Sequence, residues 1–280
     1  MVNGQRKSFL CPNCRKLISL DEPHCPYCGL PNPGSKWKNN PWTRGFGNPV
    51  QLIRTIVYIN AGMFVLSLLM NPLSTGLTLN PFQFLSPDTT SLVALGASGA
   101  KPIDLLHRWW SLVSAIYLHG SILHILFNML ALNQIGRFTV EEYGTYRTFV
   151  IYTVSGVVGY WVSYLAGIPI TLGASGALCG LIGAGLYYGK SRGGVYGQVV
   201  YQQIRGWVIG IFLFGFLVPG IDNWAHGAGL VSGILLGLLL GYNEKRREGF
   251  LDKTMAGVCA LVTAAVLLLA VASGVYYLLS

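Results

Sequence analysis

Long apolar runs alternate with short polar segments from residue 52 to the end of the chain. Seven runs can be distinguished, at residues 52–70, 111–134, 147–167, 172–189, 206–221, 224–242 and 254–279. Each run approaches the roughly 20 residues that a helix needs to cross about 30 Å of hydrocarbon. The fifth is the shortest and ends at Pro219-Gly220. The pattern therefore predicts an all-α polytopic membrane protein with seven transmembrane helices.

Composition excludes most other classes of protein. Of the 280 residues, 52% are hydrophobic and 10% are charged, whereas a soluble domain carries about 25% charged residues. A soluble enzyme, a disordered chain and a fibrous repeat are therefore unfavoured. Residues 1–50 are polar, basic and rich in proline and glycine. No apolar segment follows Met1, so we expect no cleavable signal peptide.

The placement of lysine and arginine predicts the orientation in the membrane. Of the 19 basic residues, 17 lie in or beside alternate polar segments, and only Lys101 and Arg108 lie on the opposite side. Cytoplasmic segments carry the excess of basic residues. The N-terminus is therefore expected in the cytoplasm and the C-terminus outside it. The cytoplasmic segments would be residues 1–51, 135–146, 190–205 and 243–253. Because this asymmetry accounts for the net charge of +9, we expect no nucleic-acid partner.

The external segment 71–110 is long and contains apolar stretches of its own. They include residues 81–85, residues 92–95 and the pair Trp109-Trp110, and tryptophan favours the membrane interface. Two interpretations remain open from these residues. The segment is a spacer, or it is a membrane-embedded hairpin that shapes a site.

Four cysteines near the N-terminus form two CxxC pairs separated by ten residues. They are Cys11, Cys14, Cys25 and Cys28. Four thiolates match the tetrahedral preference of a closed structural zinc site, and reduced thiols are expected in the cytoplasm. The sequence therefore predicts a zinc-ribbon-like module at residues 1–34 that holds one structural Zn²⁺, followed by a linker at 35–51.

Several apolar runs contain polar side chains that are costly in a membrane helix. The second run holds His124 and Asn128, four residues apart and hence on one helical face. His119 lies five residues before His124 and is expected to point elsewhere, closer to the membrane surface. The fourth run holds Ser175 and the sixth holds His226. Each alone is compatible with ordinary helix packing. On the predicted topology, however, Ser175 and His226 lie about one turn into their helices, and His124 and Asn128 lie about two to four turns into theirs. All four are therefore expected in the external half of the membrane.

These residues can assemble a serine-hydrolase site. His226 can accept the proton of Ser175, while His124 and Asn128 can donate to the developing oxyanion. The pairs Gly176/Gly180 and Gly229/Gly233 form small-residue stripes that would let the two helices approach closely. No aspartate or glutamate lies inside an apolar run, so the site is expected to be a dyad. Asp222 is expected to cap the sixth helix, and orientation of His226 is the alternative.

Taken together, these motifs resemble the rhomboid family of intramembrane serine proteases over about residues 50–245. The resemblance rests on His119-x4-His124-x3-Asn128, on Gly173-Ala-Ser175-Gly, and on Ala225-His226-x2-Gly229-x3-Gly233. It implies a six-helix bundle at residues 52–243 with one further transmembrane helix within 244–280, a lateral hairpin at 71–110 and a fifth helix that acts as a mobile substrate gate.

The resemblance also implies an activity. Ser175 would be the nucleophile, His226 the base, and His124 and Asn128 the oxyanion donors. Transmembrane proteins would be cleaved near their extracytoplasmic ends without a catalytic cofactor. We expect an integral protein of a bacterial plasma membrane whose active site lies in the outer half of the bilayer.

Two features depart from the family pattern. Cys179 stands where many relatives carry an aromatic residue that packs on the catalytic histidine, and Arg108-Trp109-Trp110 displaces the arginine of the Trp-Arg signature of the first external loop. The main alternative function is a catalytically silent rhomboid-like protein that binds and routes membrane clients. A transporter with intramembrane histidines would need acidic partners, and the apolar runs contain none.

Overall fold

The structure is a computed structural model that describes residues 8–12, 16–27, 30, 32–35, 49–76, 78–80 and 83–279. The chain divides into two compact units, Met1–Leu52 and Ile53–Ser280. This division falls where the composition changes from polar and basic to apolar. Each unit is described by itself below.

The first unit contains a short antiparallel hairpin. Strand β1 (Ser8–Leu10) pairs with β2 (Leu17–Ser19), with Phe9 opposite Ile18. Cys11 follows β1 and Cys25 lies after β2, and both are buried in one small cluster with Ile18. The other two predicted zinc ligands, Cys14 and Cys28, lie outside the described residues.

The described part of the second unit is built from helices. They are α1 (Pro49–Met70, which begins in the first unit), α2 (Thr89–Ala94), α3 (Ala100–Leu106), α4 (Ser111–Ser114), α5 (Ile122–Ala131), α6 (Arg137–Tyr143), α7 (Thr145–Leu165), α8 (Ser175–Arg192), α9 (Gly194–Leu217), α10 (Asn223–Leu240) and α11 (Phe250–Leu279). Short 3-10 turns at Pro72–Ser74 and Ala115–Tyr117 and a π turn at Leu132–Gly136 join some of them.

Five helices among the described residues are long and apolar enough to cross a membrane. They are α1, α7, α9, α10 and α11, and the count becomes six if the bent pair Ser111–Tyr117 and Ile122–Tyr143 forms one span. The remaining predicted crossing corresponds to α8, which has 18 residues and is not among these candidates. A polytopic membrane fold is thus supported, and the number of seven crossings stays a prediction.

The second predicted crossing is not one continuous helix, so that part of the prediction was wrong. Its two halves meet at 90°, because residues 118–121 between them are not helical. Leu118 is extended, and the Ser121 side chain accepts a hydrogen bond from the backbone N–H of His124. A serine that caps a helix in this way starts a new helix rather than continuing an old one. The break brings residues 119–128 to the edge of the site described below.

The core of the second unit is the contact between α8 and α10. A Cβ atom on Gly229 would lie 2.2 Å from the Gly176 carbonyl oxygen, and one on Gly233 would lie 1.9 Å from that of Gly180. Both distances are far below any real Cβ contact, so the two helices touch backbone to backbone. The glycine stripes predicted from the sequence are therefore the contact surface. Helix α8 also packs against α7 and α9.

The segment 71–110, which the sequence predicts to be external, contains helices among its described residues rather than only extended chain. Helices α2 and α3 lie in it, and Leu92, Leu95 and Ile103 are buried. Ser98 forms a two-way backbone bridge with Thr171, the residue four positions before Ser175. Arg108 donates from its guanidinium to the carbonyl oxygen of Val93 at 2.5 Å. The segment therefore supports the loop that leads into α8 and is more than a spacer.

A buried ion pair holds the first turns of α7 and α11 together. Arg147 and Asp252 are both fully buried, and their side chains pair at 3.0 Å. The remaining guanidinium protons of Arg147 go to the carbonyl oxygens of Gly241, Arg246 and Arg247. Because every charged group has partners, the burial is tolerated. The loop between α10 and α11 is thereby tied to α7.

Candidate active site

Ser175 is the first residue of α8, and the chain before it is tightly constrained. Gly173 has φ +125°, a conformation that favours glycine. A Cβ atom on Gly173 would also lie 2.6 Å from Nε2 of His124 and 3.8 Å from Oγ of Ser175. Glycine is thus required at this position both for the turn and for space. The sequence predicted that Ser175 lies about one turn inside its helix, whereas it is the first helical residue.

His226 lies in the first turn of α10, directly across from the serine. Its Nε2 is 2.8 Å from Oγ of Ser175, a hydrogen-bond distance. The imidazole is 6% exposed, whereas Ser175 is partly open. The other ring nitrogen, Nδ1, finds no hydrogen-bond partner among the described residues. The structure therefore brings the hydroxyl and the imidazole together as a pair without a third member.

Asp222 caps α10, as expected, and makes no hydrogen bond to the His226 ring. Its carboxylate accepts a hydrogen bond from the backbone N–H of Ala225 at 3.0 Å. The same carboxylate also accepts hydrogen bonds from the hydroxyls of Ser163 and Thr171. The alternative role of Asp222 as the orienting acid of a triad has no support from these contacts.

His124 lies beside the serine, on α5. Its Nε2 and the Oγ atom of Ser175 both lie within 4 Å of the position that a Cβ atom on Gly173 would take. Its Nδ1 accepts a hydrogen bond from the backbone N–H of Gly120 at 3.3 Å. That bond to Nδ1 leaves Nε2 to carry the proton of a neutral ring. His124 is therefore arranged to donate from Nε2 toward the serine.

Asn128 lies one turn further along α5 and is 6% exposed. Its side-chain amide donates to the backbone carbonyl of His124 at 2.8 Å. One amide proton is thereby committed within the helix, and one remains for a ligand. The sequence placed His124 and Asn128 two to four turns into a helix, but both lie in the first two turns of α5 because the helix restarts at Ile122.

His119 is not separate from this group, contrary to the expectation from helical spacing. Its ring packs edge-on against the ring of His124, with the centroids 4.9 Å apart. It is completely buried. The spacing argument fails because His119 lies in the non-helical stretch before α5. The buried ring of His119 therefore restricts the movement of the His124 ring.

Two further residues near the serine, Tyr160 and Ala115, were not singled out from the sequence. The hydroxyl of Tyr160 on α7 donates to the carbonyl oxygen of Gly173, and the Gly173 N–H donates to the carbonyl of Ala115 at 2.9 Å. Cys179, which replaces the expected aromatic residue, is buried one turn after the serine. A tyrosine inside an apolar helix is a signal of a buried hydroxyl with a partner, but its partner cannot be read from the sequence.

The predicted metal site is only partly within the described chain. Among the described residues no three histidine, cysteine or acidic side chains lie close enough to hold a metal ion, but two of the four predicted ligands lie outside them. Cys11 and Cys25 do fit a closed site, since both are buried together beside the hairpin. Backbone bonds from Cys11 N to Lys16 O and from Cys25 N to Leu30 O give each cysteine a similar turn.

Comparison with known proteins gives a consistent result. A family profile described as Rhomboid domain matches residues 106–243. The rhomboid protease GluP of Bacillus subtilis (strain 168) is 33% identical over 181 residues, covering 65% of this chain and 35% of that protein. RHOMBOID-like protein 1 of Arabidopsis thaliana is 32% identical over 221 residues, 70% of this chain and 56% of that protein.

A second protein of Arabidopsis thaliana, RHOMBOID-like protein 2, is 32% identical over 209 residues, 68% of this chain and 66% of that protein. The chain thus spans between about a third and about two thirds of the length of these relatives. The matched region contains α4 to α10 with all four candidate site residues. Together with the apolar helices, the match indicates an integral membrane protein. Residues 106–243 therefore form a rhomboid domain, and the relatives support membership of the rhomboid family for this chain.

Proposed function

We propose that this protein is an intramembrane serine endopeptidase that uses Ser175 as the nucleophile and His226 as the general base. The observation that carries the proposal is the 2.8 Å distance between Oγ of Ser175 and Nε2 of His226. Such a distance lets the proton move to the imidazole as the oxygen attacks. The rhomboid domain match and the protease named among the relatives favour the same chemistry.

The geometry supports the following sequence of steps. Oγ of Ser175 attacks the scissile carbonyl carbon while Nε2 of His226 takes the hydroxyl proton. The resulting imidazolium gives that proton to the leaving amine, and the C–N bond breaks to leave an acyl-enzyme. Water then attacks the ester with His226 again as base, which releases the carboxylic acid and restores Ser175.

The oxyanion of the tetrahedral intermediate needs donors near the serine. The first turn of α8 has backbone N–H groups without an intrahelical acceptor, and the positive end of the helix dipole adds to them. His124 Nε2 and Ser175 Oγ both lie within 4 Å of the Cβ position of Gly173, and Asn128 keeps one amide proton. Removal of one such donor typically costs on the order of 10²–10³ in rate. We assign His124 and Asn128 this role.

The substrate class follows from the location of the pair. Ser175 and His226 lie at the starts of α8 and α10, and the basic residues cluster near the opposite ends of these helices. The positive-inside rule then places the pair in the extracytoplasmic half of the bilayer. Transmembrane proteins with a cleavable segment at that depth are the proposed substrates, in what we expect to be a bacterial plasma membrane.

The N-terminal module is proposed to bind one structural Zn²⁺ through Cys11, Cys14, Cys25 and Cys28.

Cleavage in proteoliposomes tests this function. The purified full chain would be reconstituted with a panel of single-span membrane proteins, and the product ends would be sequenced. We expect cleavage near the extracytoplasmic end of the span, and none with the Ser175→Ala variant. If the wild type and the Ser175→Ala variant both bind membrane proteins and neither forms a cleavage product, the catalytically silent alternative would be established instead.

A further inference from the structure

The carboxylate of Asp222 joins three separate elements beside the Ser175–His226 pair. One oxygen accepts the backbone N–H of Ala225 on α10. The other accepts the Ser163 hydroxyl from the end of α7 at 2.5 Å and the Thr171 hydroxyl from the following loop at 2.7 Å. Both hydroxyl residues are buried. A helix cap needs only the first of these bonds, so the two hydroxyl bonds require another explanation.

Asp222 is connected to both members of the catalytic pair. Its carboxylate binds Thr171, four residues before Ser175, and its backbone carbonyl accepts the N–H of His226 at 3.2 Å. The loop between α7 and α8 is also held by the backbone bridge of Thr171 with Ser98 and by the bonds of Gly173 to Ala115 and Tyr160. The N–H groups of Ala100 and Lys101 donate to the carbonyl oxygens of Ile168 and Pro169 in the same loop. The Asp222 carboxylate connects this loop directly to α10.

We infer that Asp222 is a positioning residue, which holds the loop before Ser175 and the start of α10 at a fixed separation through its bonds to Thr171 and Ser163. This inference rests on the proposed function. The Ser175–His226 bond has a tolerance of only a few tenths of an ångström around 2.8 Å, and the two residues lie on different helices. One side chain that is hydrogen-bonded to both sides fixes their distance, because each hydrogen bond accepts only a narrow range of lengths.

Two substitutions separate positioning from capping. Serine is as good a helix cap as aspartate, but its side chain is one atom shorter and carries a single oxygen. Asp222→Ser therefore retains the bond to Ala225 and loses those to Thr171 and Ser163. Thr171→Val removes one hydroxyl and leaves the cap untouched. Asp222→Asn is the conservative rescue, because its amide oxygen can cap the helix while its NH₂ group donates to the two hydroxyls.

Asp88→Ser provides a matched control. Asp88 caps α2 and accepts hydrogen bonds from the backbone of Thr90 and Ser91 and from the Thr90 hydroxyl. It thus loses the same kind of contacts in the same substitution. These partners lie within its own helix, and its further hydrogen bond, from the Asn71 side chain, comes from the residue directly after α1 and not from the candidate site.

The readout is the rate at which a fluorophosphonate probe labels Ser175 in the full chain, together with kcat and KM for a cleaved substrate. We expect Asp222→Ser and Thr171→Val to lower the labelling rate and kcat about ten-fold, with KM changed less than about two-fold. Asp222→Asn and Asp88→Ser should label close to the wild-type rate. Wild-type labelling by Thr171→Val would overturn the inference, even if Asp222→Ser were slow.

A second measurement keeps this inference separate from the proposed function. Amide hydrogen exchange at Thr171 and Gly173 should be faster in both Asp222→Ser and Thr171→Val than in the wild type, whether or not the protein hydrolyses anything. If the wild type is neither labelled nor active, the proposed function fails, but faster exchange in the variants still supports the inference that Asp222 holds the loop in place. Unchanged exchange at both amides in both variants would overturn that inference.

Discussion

Replacement of Gly233 by alanine should separate the two helices that carry Ser175 and His226. The new Cβ atom would lie 1.9 Å from the carbonyl oxygen of Gly180, while real Cβ contacts are essentially never below 3.0 Å. The contacting atom belongs to the backbone, so it cannot rotate away. Helices α8 and α10 must therefore move apart by about 1 Å or more, since packed interiors have no slack to absorb the clash.

A shift of this size exceeds the tolerance of the catalytic contact. The distance from Ser175 Oγ to His226 Nε2 is 2.8 Å, and proton transfer needs about 2.6–3.2 Å. A misplacement of about 1 Å can cost on the order of 10²-fold in rate. We therefore expect Gly233→Ala to reduce fluorophosphonate labelling of Ser175 by about that factor, with Gly229→Ala close behind because its Cβ would lie 2.2 Å from Gly176 O.

The matched control is Gly257→Ala in α11. This glycine is also inside a long apolar helix, but nothing lies within 4 Å of its Cβ position. It should label at the wild-type rate, and alanine should favour the helix slightly. Each variant would be checked for a folded monodisperse peak and for its melting temperature, and rates would be compared per folded protein. Folded Gly233→Ala that labels as fast as the wild type would refute the close-packing argument.

Three other predictions concern the rest of the molecule. Asp252→Ala should cost about 3–5 kcal/mol of unfolding free energy because it leaves a buried arginine unpaired, whereas Glu244→Ala, at an exposed pair, should cost about 0–1 kcal/mol; equal losses in denaturant titrations would contradict this. Burial raises the pKa of Glu248, so its ionised form disfavours folding, and the penalty grows as pH rises through that pKa. Glu248→Gln should therefore melt higher than the wild type at alkaline pH and equally at acidic pH, and a lower melting temperature at alkaline pH would show the reverse balance. About one zinc per chain should be found by metal analysis and lost in Cys11→Ser or Cys25→Ser, and stoichiometric zinc surviving both changes would disprove the site.

Much of the site could be predicted because its polar side chains cost free energy in a membrane. A histidine inside an apolar run is rare and costly, and stripes of glycine indicate which helix faces touch. The sequence therefore predicted that Ser175 and His226 meet, and the structure brings them together. The same logic located His124 and Asn128 near them.

What could not be predicted depends on breaks in regular structure. Helical spacing separates His119 from His124, but the chain bends by 90° between them and their rings touch. Helix lengths were also misjudged where polar residues continue a helix: α9 begins at Gly194, within a segment read as a cytoplasmic loop. Contacts between residues far apart in sequence, such as Arg147 with Asp252 or Asp222 with Thr171, leave no periodic signal.

The central claim, that Ser175 is activated by His226, is tested most directly by mapping the adduct of a fluorophosphonate probe on the full chain in a lipid bilayer. Mass spectrometry should find the probe on Ser175 alone, with labelling abolished in Ser175→Ala and reduced to background in His226→Ala. An adduct on another serine, or a His226→Ala variant that labels at the wild-type rate, would contradict the account.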